Sequence, residues 1–381
     1  MLMLKNLFEY QDSLAILNDD SSLHDKLTSV HEVITATFEF IDRIAIAVYE
    51  HETDILKTFV ASCHGENRLR HYEARLKDAP SLMEILQKGR PRVVNNLEIF
   101  SAGLSEHTLR ITEMRFAASY SMPIYQHGHF FGFVFFNSKQ PDVFEENVLH
   151  QMDLFGHMIS LMVMNELSVA YTLTAALKTT SEMMHHRDPE TGSHIDRMSR
   201  YARLIATELA ERYQLSDEYI EKIFLYSPLH DIGKVGIPDS ILLKAGCLTE
   251  QEYDVMKTHT VLGREMIDRL LHNFGFDGFQ HVDVLRNIAE FHHEAVNGSG
   301  YPRGLKGNEI PLEAKIVAVA DIFDALTSQR PYKKAWTNEE AFETLEKLVG
   351  NKLDRDCVQA LMDNETKILE IQQQFKEDAI G

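Results

Sequence analysis

Side chains that bind metal ions recur at five separated places in the second half of this chain of 381 residues. The five segments are RDPETGSH (187–194), LHDIGK (229–234), MKTHT (256–260), FHHE (291–294) and VAVADIFDA (317–325). Imidazoles and carboxylates together suit borderline divalent cations such as iron, manganese or zinc, whereas cysteine-rich sites favour softer chemistry. The candidate ligands are Glu190, His194, His230, Asp231, His259, His292, His293 and Asp321.

A carboxylate in such a set can serve two cations at once. Asp231 has two oxygens, and two neighbouring cations that share it can hold a hydroxide between them. The same cations can bind both oxygens of an in-line phosphoryl displacement. If the five segments meet in the fold, these residue types therefore predict the hydrolysis of a phosphoester.

Each fragment alone has a structural alternative. A second His-Asp pair, His24 and Asp25, lacks the surrounding motif and is predicted to lie at the surface. Asp321 stands in the apolar run IVAVADIFDAL, where an unpaired buried carboxylate is costly. A metal would satisfy it, and so would an arginine or a backbone partner. Glu190 and His194 are four residues apart and share a face only if that turn is helical.

The segments that must position these ligands are helical in their periodicity. Residues 193–213, 249–271 and 312–328 repeat apolar side chains at helical spacing, and joints rich in glycine and proline separate them, such as GKVGIPD (233–239) and NGSGYPRGLKGNEIP (297–311). The sequence therefore predicts a nearly all-α domain over residues 187–381.

The first 145 residues have a different pattern, which is mixed α/β. Short β-prone runs at 43–50, 54–62, 117–126 and 130–138 form two candidate hairpins, and helical periodicity flanks them at 13–40 and 143–165. This order, with its final HGHFFGFVFFNS…DVFEENVLHQM segment, resembles a GAF domain, a sensory and dimerising module. The expected fold class of the whole chain is α+β.

Residues 146–186 are predicted to form a linker helix between these two domains. Proline is absent from this segment, and apolar residues step by four and three as coiled-coil core positions do; they are Val148, Met152, Phe155, Ile159 and Met162, followed after Glu166 by Val169, Leu173 and Ala176. Two interpretations stay open at this point. The helix packs on its own domain, or it forms a parallel dimer seam that joins a sensor to an output domain.

Composition limits the classes of function. A formal net charge of −20 counts against a surface that follows long DNA or RNA, but it allows a small anionic ligand held by local cations. No apolar run approaches the roughly 18 residues that would span a membrane. Cys63, Cys247 and Cys357 form no CxxC motif, so a reducing cytoplasm is the expected location.

The order RDPETGSH…HDIGKVGIPD…H…HHEAVNGSGYPRGLKGNEIP…VADIFDALTSQRPYK resembles the HD-GYP family of the HD phosphohydrolase superfamily over about 150 residues. The resemblance implies a bacterial phosphodiesterase for cyclic dinucleotides, chiefly cyclic di-GMP. Its implied products are linear pGpG and then GMP, formed by attack of a metal-bound hydroxide. A homodimer and signalling proteins are the partners expected beside the substrate.

The resemblance also implies roles for individual residues. The eight candidate ligands given above match the family's metal ligands, with Asp231 as the bridge of a two-metal core of iron or manganese. Glu190 matches an acid that allows a third metal.

Among the other residues, Lys234 matches a lysine near the scissile phosphate and is assigned a catalytic role with Asp231, because its ammonium could neutralise charge in the transition state. The expected substrate-binding residues are Gly300, Tyr301, Pro302, Arg330, Lys333 and Asp324, of which Asp324 is alternatively an orienter of a metal ligand or of Lys234.

The chain departs from the family at one place. The family usually has an aspartate-glycine pair before the GYP tripeptide, whereas this chain has Ala295, Val296 and Asn297 after HHE. The departure leaves the choice between cyclic di-GMP and hybrid cyclic GMP-AMP open. A different class of function, an inactive cyclic-dinucleotide receptor, is the remaining alternative.

Overall fold

A computed structural model of the protein describes residues 11–65, 71–97, 116–183, 192–275, 282–329 and 335–376. The chain divides into two compact units, Met1–Leu167 and Ser168–Gly381. The division falls inside the predicted linker, so the domain boundaries at 145/146 and 186/187 stay predictions. Each unit is described by itself.

The first unit is built on a six-stranded antiparallel sheet. Its strands are β1 (Arg43–Glu50), β2 (Ile55–Cys63), β3 (Glu73–Arg75), β4 (Arg92–Val94), β5 (Ala118–Gln126) and β6 (His129–Ser138). Their order is β3-β2-β1-β6-β5-β4, so the central pair joins the two sequence-local hairpins, with Arg43 opposite Asn137. Both predicted hairpins, β1–β2 and β5–β6, are confirmed. Helices α1 (Leu23–Thr35) and α2 (Pro80–Lys88) accompany the sheet.

Helix α3 runs without a break from Glu146 to Met183. Within the first unit its residues Val148, Met152 and Ile159 are buried, and the Tyr120 hydroxyl of β5 donates a hydrogen bond to Asp153. Three of the five predicted seam residues before Glu166 are therefore buried within the single chain, while Phe155 and Met162 are half-buried. The choice between the two interpretations stays a prediction. Leu173 and Ala176 belong to a stretch whose side chains lie outside the described residues.

The regular structure of the second unit is helical within the ranges described. After α3, its helices are α4 (Gly192–Glu208), α5 (Ala210–Tyr213), α6 (Asp217–Tyr226), α7 (Asp239–Leu242), α8 (Glu250–Lys257), α9 (His259–Phe274), α10 (Val282–Phe291), α11 (Leu312–Thr327), α12 (Asn338–Leu348), α13 (Arg355–Met362) and α14 (Glu365–Gln374). Side-chain caps begin several of them; the Thr249 hydroxyl, for example, accepts from the Glu252 amide and the Glu252 carboxylate accepts from the Thr249 amide.

Helices α4 and α11 pack against each other at the centre of this unit. Apolar residues of both are fully buried there, among them Tyr201 of α4 and Phe323 of α11, whose rings meet edge to face at 5.1 Å. This packing places the N-terminal turn of α4 beside the middle of α11, where two of the candidate ligands lie. Among the described residues, no helix combines the length and the apolar character that crossing a membrane requires.

Candidate metal centre

Seven of the eight predicted ligands converge in the second unit. His194 lies in the first turn of α4, His259 begins α9, His292 and His293 follow the last residue of α10, and Asp321 lies in α11. His230 and Asp231 occupy the join between two short 3-10 turns, Ser227–Leu229 and Ile232–Gly236. The eighth predicted ligand, Glu190, lies outside the described residues, and with it the prediction of a third metal.

The seven residues form two groups in which the potential ligand atoms lie within 4.8 Å of one another. The Asp231 group contains Asp231, His259, His292 and His293, and the His194 group contains His194, His230 and Asp321. In the latter, Asp321 Oδ1 lies 3.7 Å from His194 Nε2. Asp321 therefore faces an imidazole of the centre, which favours the metal interpretation of this carboxylate.

Asp231 connects the two groups through its two oxygens. Its Oδ1 lies 3.1 Å from His259 Nε2 and 3.6 Å from His292 Nε2, while its Oδ2 lies 3.2 Å from His230 Nε2 and 2.7 Å from Lys234 Nζ. Burial alone would raise the pKa of this carboxyl, but the Lys234 ammonium holds the pKa well below its usual value. A carboxylate that stays ionised and faces both groups has the geometry of a bridging ligand.

The imidazoles are held so that one nitrogen lone pair of each is directed inward. The Nδ1 atoms of His230, His259 and His292 lie 2.8 to 2.9 Å from the carbonyl oxygens of Ser227, Met256 and Ile288. A carbonyl oxygen can only accept, so each Nδ1 carries the proton, and each neutral ring presents Nε2 as an acceptor. Burial also lowers the pKa of His292 and His293, which favours the neutral, metal-binding form.

Two of these acceptor atoms face each other directly. His259 Nε2 and His292 Nε2 are 3.5 Å apart, and neither has a proton to donate when Nδ1 is bonded to a carbonyl. Two lone pairs at this separation repel, and a cation between them turns the repulsion into coordination. Together with the carboxylates, this donor set fits divalent iron, manganese or zinc.

Gly233 allows the turn that carries Asp231 to approach α9 closely. A β-carbon at this position would lie 1.8 Å from the carbonyl oxygen of His259, a distance that no side chain tolerates. Any other residue would therefore push His259 away from Asp231. The glycine belongs to the HDIGK motif, but the reason for it lies in a helix that begins 26 residues later, at His259, and this contact could not be predicted from the sequence.

Asp324 is fully buried and contacts a predicted metal ligand. Its side chain is 0% exposed, and its oxygens accept hydrogen bonds from His194 Nδ1 at 2.7 Å, from the Arg197 guanidinium and from the Ser328 hydroxyl. Burial raises the pKa of Asp324, but these partners bring it below its ordinary value. Asp324 therefore has the position of a residue that orients His194, which was one of the alternatives left open beside substrate binding.

Arg197 was missed by the sequence reasoning. It donates to Asp324 at 2.7 and 3.0 Å and also to Ser328 and to the carbonyl of Phe375. The signal was present, because Arg197 follows His194 by three residues and Asp324 follows Asp321 by three, which is one helical turn in each case. Both supporting residues thus lie on the ligand-bearing faces of α4 and α11.

The loop after the paired histidines places Tyr301 next to the metal ligands. The Tyr301 ring lies 4.8 Å from the His293 ring and 6.3 Å from the His259 ring, and its amide donates to the His293 carbonyl at 3.2 Å. Gly300 makes this approach possible, since a β-carbon there would lie 2.2 Å from the Ala295 nitrogen. Burial raises the pKa of Tyr301, so its hydroxyl stays protonated.

Two glutamates that the sequence reasoning left unassigned hold this loop. The Glu294 carboxylate accepts the three successive backbone amides of Arg303, Gly304 and Leu305 at 2.7, 3.1 and 2.9 Å. The buried Glu290 carboxylate accepts from the Arg303 and Arg264 guanidinium groups. The HHE motif includes Glu294, but its hydrogen-bond partners in residues 303–305 are visible only in the folded structure.

The remaining predicted residues divide into those near the centre and those outside the described ranges. Lys234 lies in the centre, in contact with Asp231. Pro302 is half-buried in the loop that follows Tyr301. Arg330 and Lys333 lie outside the described residues. The isolated pair His24-Asp25 is exposed at the start of α1, as predicted, with Asp25 bonded to Ser22.

Comparison with known proteins identifies the domains. The HD domain family model matches residues 170–357, and the GAF domain family model matches residues 22–163. The second half of the chain therefore matches the HD domain family, and a match to the GAF domain family precedes it. The resemblances predicted for the two halves and the α+β fold class are thereby confirmed.

Relatives with curated names are similar to about half of the chain. A cyclic di-GMP phosphodiesterase response regulator of Xanthomonas campestris, RpfG, is 44% identical over 199 residues, which are 52% of this chain and 50% of that protein. A cyclic di-GMP phosphodiesterase of Thermotoga maritima is 39% identical over 54% of this chain and 53% of its own length. A 3′3′-cGAMP-specific phosphodiesterase of Vibrio cholerae is 36% identical over 58% and 39%. The chain thus spans about half the length of the relatives it matches.

Solved structures of GAF domains are similar to about two fifths of the chain. A phycocyanobilin-bound GAF domain from a cyanobacterial phytochrome is 18% identical, with a TM-score of 0.31, over 41% of this chain and 95% of that domain. A GAF domain from an Acinetobacter phosphoenolpyruvate-protein phosphotransferase is 16% identical, with a TM-score of 0.32, over 41% and 91%.

Proposed function

We propose that this protein is a metal-dependent phosphodiesterase that hydrolyses cyclic di-GMP to linear pGpG and then to GMP. The observation that carries the proposal is the position of Asp231, whose two oxygens face two separate groups of imidazole and carboxylate ligands. Such a pair of neighbouring sites suits phosphoryl chemistry. The named activities of the relatives supply the class of substrate.

Each side chain of the centre has a defined task in this proposal. When bound, two divalent cations supply a water nucleophile at neutral pH and neutralise charge on the phosphoryl oxygens. Asp231 would be shared between them, His259, His292 and His293 would complete one site, and His194, His230 and Asp321 the other. Iron and manganese are the proposed metals.

Lys234 is the cation that the chain itself contributes. Its Nζ lies 2.7 Å from Asp231 Oδ2, and its side chain is mostly buried at the edge of the centre. Because the carboxylate holds the ammonium in place, no reorganisation is needed when negative charge develops on the substrate phosphate. Arg330 and Lys333 are proposed to add contacts to phosphate and guanine.

Hybrid cyclic GMP-AMP is the second candidate substrate, because relatives of 36% and 33% identity are named 3′3′-cGAMP-specific phosphodiesterases. The divergent loop residues do not favour either one. Ala295 is buried, and Asn297 accepts a hydrogen bond from the Ser299 amide at 2.9 Å. These two side chains stabilise the loop, so we propose that other residues distinguish guanine from adenine.

The test is a turnover assay with protein loaded anaerobically with iron or manganese and quantified for metal. Cyclic di-GMP, hybrid cyclic GMP-AMP and pGpG are incubated separately, and products are separated by chromatography. We expect the Asp231→Asn variant to lose turnover by at least about a hundred-fold. The matched control is Asp25→Asn, which changes the acid of the surface His-Asp pair and should retain wild-type turnover.

Two results would oppose the proposal. Wild-type protein that carries metal and binds a cyclic dinucleotide without cleaving it would identify a receptor. Equal turnover in wild type and Asp231→Asn would place the chemistry elsewhere. We further propose that the protein acts as a homodimer and is regulated through its GAF domain and signalling partners.

A further inference from the structure

Tyr253 extends a row of rings outward from the metal ligands. The Tyr301 ring contacts those of His293 and His259, and the Tyr253 ring lies next, 6.5 Å from Tyr301 in an edge-to-face arrangement of 82°. The row therefore begins at the proposed position of the scissile phosphate and continues toward solvent. A ligand bound at the metals would reach Tyr253 directly after Tyr301.

The Tyr253 ring is exposed and takes no part in the hydrophobic core. The side chain is 49% exposed, and α8, the helix that carries it, contains no buried residue. The capping box of Thr249 and Glu252 and the continuation into α9 hold this helix in place. Since the core does not use the Tyr253 ring, one of its faces is available to a ligand.

The charge beside Tyr253 suits a nucleotide. Lys257 Nζ lies 5.3 Å from the centre of the Tyr253 ring, one helical turn along α8, and it pairs with Asp254. An aromatic ring with an adjacent cation is the combination that proteins use to stack nucleobases next to a phosphodiester backbone. A solitary exposed tyrosine would lack both the cation and the adjoining row of rings.

We infer that Tyr253 is a nucleobase-stacking residue that receives one purine of the substrate at the mouth of the metal centre. The inference rests on the proposed function, because it assumes a ligand with a phosphodiester at the metals and a base beyond Tyr301. A cyclic dinucleotide meets this condition, since each of its phosphates is flanked by two nucleosides. Tyr253 acts on binding and not on the bond that breaks.

The experiment compares Tyr253→Ala with Tyr253→Phe in the full-length, metal-loaded protein. Loss of one stacking platform is worth about 1 to 3 kcal/mol, which corresponds to a rise in KM of about 5-fold to about 150-fold for the hydrolysed cyclic dinucleotide. We expect kcat to change by less than about two-fold, because the metal ligands and Lys234 are untouched. Tyr253→Phe retains the ring and should retain the wild-type KM.

Inorganic phosphate serves as a probe without a base. Its inhibition constant should be equal in wild type and Tyr253→Ala, because phosphate requires only the metals and nearby cations. Tyr213→Ala is the matched control, since Tyr213 is 40% exposed and bonds to Asp356 on another face of the same unit. This control should leave KM unchanged.

The outcomes separate this inference from the proposed function. Wild-type turnover together with an unchanged KM in Tyr253→Ala would overturn the inference and leave the proposed function intact. A Tyr253→Ala variant with weakened phosphate inhibition or reduced metal content would also overturn it, because the defect would then lie in the metal centre. If the wild-type protein cleaves no cyclic dinucleotide, the proposed function and the inference about Tyr253 are both wrong.

Discussion

Three types of side chain make different electrostatic contributions to the proposed metal centre. Asp231 supplies a shared anion, the histidines supply neutral nitrogens, and Lys234 supplies a cation held against Asp231. Backbone carbonyls fix the protons of three histidines, and Asp324 accepts from the Nδ1 atom of His194. The ligand geometry is thus set by buried acceptors that never contact the metal, which is the usual way in which such sites are oriented.

Asp324→Asn tests this supporting layer. The variant replaces one of the two acceptor oxygens by an amide nitrogen, which cannot accept. His194, Arg197 and Ser328 must then share the one remaining oxygen, so the orientation of His194 is less firmly fixed. We expect about a 10- to 100-fold loss in the affinity of the His194 group for metal. Titration of the apo protein with manganese, followed by turnover at saturating metal, measures the effect.

Ser328→Ala is the matched control for this variant. It removes one neutral donor to Asp324 and one acceptor of Arg197, and it leaves the bonds from His194 and Arg197 to Asp324 in place. We expect a stability loss of about 1 kcal/mol and wild-type metal affinity. Equal metal affinity in both variants would show that Asp324 is structural and does not position His194.

Among the secondary-structure elements, α10 holds the loop that connects it to α11, through two glutamates at its C-terminal end. Glu290 lies in the last turn of α10 and Glu294 just beyond its end, so they bracket the two histidines and contact residues 303–305. His292, His293 and the loop that contains Tyr301 are thereby all attached to the C-terminal end of α10. A change in the loop should move the substrate contact and leave the histidines in place.

The variant Glu294→Ala tests whether Glu294 holds the loop that contains Tyr301. The variant leaves three part-buried backbone amides without their acceptor, which should lower the free energy of unfolding by about 1 to 2 kcal/mol. Since Tyr301 is released while His293 stays anchored to α10, we expect KM to rise more than kcat falls. Chemical denaturation and steady-state kinetics measure the two effects.

Glu309→Ala provides the comparison within the same loop. Glu309 is exposed and accepts a single backbone amide, that of Lys306 at 2.9 Å. We expect a much smaller loss of stability and an unchanged KM. If both variants raised KM equally, the loop would be sensitive to any local change, and Glu294 would have no special role.

These elements also show what the sequence could predict. Residue types and motif order led to seven residues that the fold brings together, because metal ligands have few chemical substitutes. The β1–β2 and β5–β6 hairpins were predictable because their strands are neighbours along the chain. The pairing of β1 with β6, the bond between Asp324 and His194 over 130 residues, and the fit of Gly233 against α9 depend on distant contacts that periodicity does not contain.

At the scale of the molecule, α3 raises the question of how two copies would meet. Periodicity predicted a buried face on this helix correctly, but it could not say what covers that face. The structure buries Val148, Met152 and Ile159 within their own domain. A dimer along α3 must therefore use another face, and Leu154 and Leu161 are 66% and 65% exposed at equivalent positions one heptad apart.

We expect the double variant Leu154→Glu, Leu161→Glu to convert a dimer of the full-length chain into monomers. Four glutamates brought together at a parallel seam repel one another and lose the apolar contact, whereas each exposed glutamate is tolerated in a monomer. Light scattering after size-exclusion chromatography measures the mass. Leu243→Glu, at a leucine of the second unit that is 49% exposed, is the control and should remain dimeric. A double variant that stays dimeric would exclude this face of α3, and a monomeric wild type would exclude the homodimer itself.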